Sequence, residues 1–116
     1  MLQRWLGLSE RLSGLPRRVR EILEEVPKLI RERYVDAEIF LFGSYARGDW
    51  LRDSDIDLIV VSEGFEGIPW PERVGAIRNL LPSDVGFDIL AYTPREFEEA
   101  RERSLIRDAS SYWIRL

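Results

Sequence analysis

The chain has neither cysteine nor histidine in its 116 residues. The first absence removes disulfide frameworks and thiol nucleophiles, the second removes imidazole bases, and together they remove Cys/His zinc sites. Any chemistry has to run on carboxylates, hydroxyls, arginines and backbone amides. Lysine is almost missing too, with Lys28 the only one among 17 basic residues. No run approaches the roughly 20 apolar residues of a membrane span, and Met1-Leu2-Gln3-Arg4-Trp5 lacks a basic region followed by a long apolar stretch. The expectation is a cytoplasmic protein with no membrane partner. Basic charge is also short: the net charge of −4 and pI near 5.0 make nucleic acid an unlikely direct partner, because that affinity rests on phosphate neutralisation.

What is present suits one globular domain over residues 1–116. Hydrophobic residues at 45% and charged residues at 33% lie far from the composition that leaves chains disordered. No repeat, low-complexity tract or linker marks a second domain. Leu2, Trp5, Leu6, Leu8 and Leu12 have helical spacing over 2–13, and Val19, Ile22, Leu23, Val26, Leu29 and Ile30 predict a helix over 17–33, kinked at Pro27. Three short apolar runs, Glu38–Phe42, Asp55–Val61 and Gly86–Tyr92, read as strands. A helix is predicted over 71–81. Thr93-Pro94-Arg95-Glu96 has the form of a capping box opening a helix of roughly 12 to 15 residues. The tail 112–116 fits a final strand or a helix end. The fold expected is α/β (α+β), a small mixed sheet with helices packed mainly on one face.

Asp55 and Asp57 stand two apart on one predicted strand, so both carboxylates point to the same face. Like charges that close resist ionisation unless a cation lies between them, and oxygen-only ligands suit Mg²⁺ or Mn²⁺. The plainer alternative is a solvated strand entry. An EF-hand fails, since Leu58 and Gly64 stand where glycine and glutamate are required. A P-loop fails because Asp49-Trp50 replaces Lys-Ser/Thr. Gly43-Ser44, after an apolar strand and before a short helix that Ser44 could cap, suits a phosphate seat or an ordinary tight turn. Arg47 fits either a phosphate contact or a solvated helix position. Asp88 lies in an otherwise apolar strand, where an unpaired carboxylate is expensive to bury. It joins Asp55 and Asp57 if the strands are neighbours, or else is ion-paired or exposed at a sheet edge.

Taken in order, the apolar strand, Gly43-Ser44, Ala46-Arg47-Gly48, Ser54-Asp55-Ile56-Asp57-Leu58 and a later Asp88 resemble the DNA polymerase β-type nucleotidyltransferase superfamily, specifically its minimal nucleotidyltransferase (MNT) members. The resemblance spans roughly residues 20 to 108. It implies that Gly43, Ser44 and Arg47 bind a nucleoside triphosphate, ATP being the usual donor. It implies that Asp55, Asp57 and Asp88 are catalytic and hold two Mg²⁺ ions, with Mn²⁺ an alternative, and that Asp88 activates the attacking hydroxyl. Larger relatives carry the acceptor on a further domain, so the expected acceptor is a partner, and MNT proteins typically pair with a helical HEPN protein as antitoxin and toxin. Competing expectations are a non-catalytic module anchored by Trp5, Trp50, Trp70 or Trp113, or a free-standing enzyme acting on a small molecule. Homo-oligomerisation stays open.

Overall fold

The computed structural model describes residues 7–116. Leu2, Trp5 and Leu6 of the predicted first helix lie outside the described residues, and its later part forms a single turn, α1 (Leu8–Arg11). Helix α2 (Arg17–Arg31) continues as one element through Pro27 and buries Val19, Ile22, Leu23, Val26 and Ile30 along one stripe. The order then runs β1 (Glu38–Phe42), α3 (Gly43–Arg47), β2 (Ile56–Val61), α4 (Trp70–Arg78), β3 (Phe87–Tyr92), α5 (Pro94–Ala100), α6 (Ser104–Ala109) and β4 (Ile114–Arg115). The sheet order is β3-β2-β1-β4; β2 and β3 run parallel, and the other pairs antiparallel. Helix α4 makes the crossover that a parallel pair requires.

Alternation along the strands sorts the core into two layers. Ile39, Leu41, Ile56, Leu58, Val60, Phe87, Ile89, Ala91 and Ile114 face the larger core, with the buried stripe of α2 and Ile77 of α4. On the other face Phe40, Ile59 and Val61 pack beneath Phe97 and Ala100 of α5 and Ile106 of α6. That smaller cluster covers only one end of the sheet. The other end of the same face, where β1 finishes and β2 and β3 begin, carries Asp57 and Asp88.

Several sequence expectations are corrected. The second strand begins at Ile56, so Asp55 is the last residue of the preceding loop. Phe42, not Ser44, occupies the cap position of α3, because Gly43 with φ +71 turns directly from strand into helix. Helix α4 stops at Arg78, short of the predicted 81. The capping box forms, with Thr93 Oγ1 accepting from the Glu96 N–H and Glu96 accepting from the Thr93 N–H. The helix it opens lasts only seven residues, and the chain bends at 101–103 before α6. That bend lets Ile106 return to the cluster of Phe97 and Ala100. The tail resolves as a strand edge on β1.

Candidate active site

Two parallel strands in register create the centre of the site. Asp57 of β2 is level with Asp88 of β3, and on its other side Asp57 is level with Phe42, the residue before Gly43. A Cβ added to Gly43 would overlap the Asp57 carboxylate, and φ +71 already disfavours other residues there. The backbone of the Gly-Ser turn therefore lies directly against this carboxylate. A second glycine repeats the arrangement: a Cβ on Gly86 would overlap the carboxylate of Asp55.

The loop that delivers Asp55 is tied down locally. Tyr45 of α3 donates its hydroxyl hydrogen to the Ser54 carbonyl at 3.1 Å and stacks on Trp50. The Ser54 hydroxyl accepts from the Leu51 N–H at 2.7 Å, closing the turn. Asp55 is then held beside the β3 entry by the bond from the Ile56 N–H to the Gly86 carbonyl at 2.9 Å.

The electrostatics single out Asp57. Its carboxyl is pushed up to about 6, first by burial, then by the charge of Asp88 and a hydrogen bond shared with it, then by Asp55; Arg47 opposes weakly. These are uncompensated carboxylates, the state a cation relieves. Asp55 and Asp88 are exposed, and among the described residues no ion pair involves any of the three. Of the alternatives for Asp88, the neighbouring strand and the exposed sheet edge both hold, and the ion pair does not. Its strand is the sheet edge, and register rather than burial brings it to Asp57.

Among the described residues no three acidic side chains converge closely enough to make a ready-made metal cage. An oxygen-only pair such as Asp57 and Asp88, with Asp55 alongside, still fits Mg²⁺, which takes one or two carboxylates and completes its shell with waters and substrate phosphates.

Ser44 lies in the first turn of α3, half-exposed, next to Gly43. Five residues give that helix too little length for a strong terminal field, so a phosphate seat there rests on close backbone approach and the hydroxyl. Arg47, in the last turn, donates from Nε to Asp49 at 3.1 Å and from Nη1 to the Tyr112 hydroxyl at 3.2 Å, with its guanidinium over the Tyr112 ring. Those bonds engage two of its five donors. Of the four tryptophans, Trp5 lies outside the described residues, Trp50 and Trp113 are partly buried against Tyr45 and Phe40, and Trp70 is 39% exposed.

Sequence reasoning missed Gly86, Arg73 and Arg78. An isolated glycine at the mouth of a strand signals close approach by another group, so Gly86 was findable. The two arginines of α4 carry no such signal. Arg73 is buried, donating to the Ile68 and Ala91 carbonyls and to Glu96. Arg78 donates from Nη2 to the Phe87 carbonyl at 3.0 Å. Both bond carbonyls on the outer edge of β3.

Comparison with known proteins identifies the family and the fold. The profile of the nucleotidyltransferase domain matches residues 19–114. Protein adenylyltransferase MntA of Thermococcus cleftensis is 45% identical over 51 residues, covering 44% of this chain and 48% of that protein. The chain spans less than half the length of the first curated relatives it matches. A crystal structure of a provisionally named nucleotidyltransferase superposes with TM-score 0.57 at 28% identity, covering 81% of this chain and 96% of the other. A toxin–antitoxin crystal structure with AMP-PNP shares the fold, with TM-score 0.51 at 24% identity over 79% of this chain and 69% of the other. With most of its length matched by that profile and its mixed sheet shared with these structures, the chain belongs to the nucleotidyltransferase domain family.

Proposed function

We propose that this chain is a Mg²⁺-dependent nucleotidyltransferase that moves AMP from ATP to a hydroxyl on a partner protein, as the antitoxin of a HEPN/MNT pair. The observation that carries the reading is Asp57 in register with Asp88 on one side and pressed against the Gly43 backbone on the other. Phosphate seat and metal-type carboxylates then meet within one strand spacing. The adenylyltransferase name of the Thermococcus relative supports protein as acceptor, and the toxin–antitoxin neighbour supports a paired partner.

In this mechanism the Gly43 backbone and the Ser44 hydroxyl hold the β- and γ-phosphates, joined by the donors of Arg47 that Asp49 and Tyr112 leave unengaged. Asp55, Asp57 and Asp88 would hold two Mg²⁺ ions, or Mn²⁺ in their place, with waters and substrate phosphates completing the shells. Bound there, the metal supplies charge stabilisation to both the attacking and the leaving oxygens. The acceptor oxygen bonds to the α-phosphorus and the α,β-bridging bond breaks. Pyrophosphate leaves, and the hydroxyl proton passes to a carboxylate oxygen of Asp88. The raised Asp57 carboxyl keeps the metal-free site partly protonated near neutrality, so metal binding and proton release are coupled.

The test is incubation with ATP labelled in its α-phosphate and base, with Mg²⁺ or with EDTA, alone and with lysate of the source cells. Label appearing on a protein only with Mg²⁺ is the expected result. Unlabelled proteins together with a new labelled small molecule, formed from ATP only with Mg²⁺, would move the acceptor to small-molecule chemistry.

A further inference from the structure

In-line displacement puts the attacking and leaving oxygens on opposite sides of the phosphorus. Across this sheet the order of site elements is fixed: Gly43 follows β1, Asp57 lies on β2 and Asp88 on β3. With the departing pyrophosphate over Gly43-Ser44, the attacking hydroxyl has to arrive from beyond β3. Strand β3 is the sheet edge. Beyond it opens a groove of about 770 Å³, lined by Asp55 and Asp88 together with Arg78, Asn79, Ser83 and Gly86. Its size is that of a site for a side chain and its neighbours.

Resting on the proposed function, we infer that this groove is the acceptor subsite and that Arg78 selects the acceptor, a protein segment whose hydroxyl residue is flanked by acidic side chains. Arg73 and Arg78, five residues apart on α4, both bond outer-edge carbonyls of β3, at Ala91 and Phe87. Arg73 also has an internal carboxylate, Glu96. Arg78 has none within ion-pair distance among the described residues. One of its five donors fastens it to the residue before Asp88, leaving the exposed guanidinium pointing its charge into the groove's lining without an internal counter-ion. In the proposed mechanism Asp55 and Asp88 serve the metal and the attacking hydroxyl, so the only cation lining the groove is available to an incoming carboxylate. A planar guanidinium anchored at one nitrogen is suited to that pairing.

The experiment uses two blocked peptides, one with tyrosine between glutamates and one with tyrosine between lysines, as acceptors from labelled ATP with Mg²⁺. Wild type is expected to favour the acidic peptide in kcat/KM by about fivefold, the size of an exposed ion pair. Arg78→Glu is expected to reverse the preference while binding a fluorescent ATP analogue as wild type does, and Arg78→Lys to retain it. Since Arg78→Glu also loses the bond to β3, Asn79→Trp serves as a second variant: the position is exposed, and the indole fills the groove. It should depress transfer to both peptides at unchanged nucleotide affinity. An unchanged charge preference in Arg78→Glu overturns the assignment, and so does nucleotide affinity falling in step with transfer, which would give the groove to ATP. A wild type that binds the analogue yet labels no peptide and no protein overturns the transferase reading itself, and the acceptor groove with it.

Discussion

Asp57 and Asp88 sit level with each other on adjacent parallel strands, and burial together with the neighbouring charge pushes the Asp57 carboxyl up to about 6. The folded chain therefore holds a proton more tightly than the unfolded one between about pH 3.8 and 6. Stability from this group is fully present below that window and is lost as pH rises through it. Urea unfolding in EDTA should show a contribution of this sign, absent in Asp57→Asn, and above pH 6 that variant should be more stable than wild type. Asp36 and Glu96 act oppositely: the Ser62 hydroxyl and the Arg73 guanidinium hold them below the usual carboxyl range. Their stabilisation is lost only as pH falls below that range. A wild-type profile that rises steadily from pH 4 to 7 without the mutant diverging would contradict the Asp57 shift.

The two glycines against carboxylates should separate by stability. At Gly43 a side chain faces positive φ and overlaps the half-buried Asp57 down to its Cβ, so Gly43→Val should cost about 1–3 kcal/mol and abolish ATP binding. At Gly86 the overlap is with the end of the exposed Asp55 side chain, which can rotate away. Gly86→Ala should thus melt close to wild type yet transfer poorly, because Asp55 has moved. Ser44→Ala, losing one hydroxyl, should weaken ATP binding by about 1 kcal/mol. Calorimetric titration beside thermal melting measures all three.

Burial makes the Arg73–Glu96 pair asymmetric, with side chains 8% and 43% exposed. Glu96→Ala strands a buried guanidinium and removes half of the capping box, and should destabilise by on the order of 4 kcal/mol. Arg73→Met leaves a carboxylate that water can reach and two orphaned carbonyls, a loss of about 2 kcal/mol. Chemical denaturation of the two variants should rank them in that order; the reverse ranking would mean that the Ile68 and Ala91 carbonyls satisfy Arg73 without Glu96.

Much of this was readable in the sequence, for identifiable reasons. Glu38–Phe42 is apolar, short and closed by Gly43, so its strand and the turn after it are set locally. The two-residue spacing of Asp55 and Asp57 put that pair on one face before any coordinates, with Asp88 joining them only if its strand were a neighbour. Parity says nothing about which strands are neighbours or how they slide, and the match of Asp57 with Asp88 comes from the crossover through α4. The break after α5 was equally hidden: Arg101-Glu102-Arg103 contains no glycine or proline, and the stop comes from the packing of Ile106 on the far side of the bend. Arg73 reads as solvated until the Ile68 and Ala91 carbonyls close around it.

Asp88→Asn discriminates most sharply between chemistry and scaffolding. Asparagine keeps the shape and deletes the charge. Were the residue a structural ion-pair partner, its loss would leave an arginine uncompensated, but Asp88 is exposed and pairs with no arginine among the described residues. What it does in the metal-free chain is raise the Asp57 carboxyl. Removing that charge should let Asp57 ionise at lower pH and should leave the melting temperature in EDTA equal to wild type or higher, as expected where an active site holds mutually unfavourable groups. With Mg²⁺ the order should invert, because wild type gains stability from the ion and the variant gains little. Transfer from labelled ATP should fall by orders of magnitude. An Asp88→Asn protein that melts clearly lower without metal and still transfers AMP would remove this residue from the catalytic set and leave Asp55 and Asp57 to hold the metal alone.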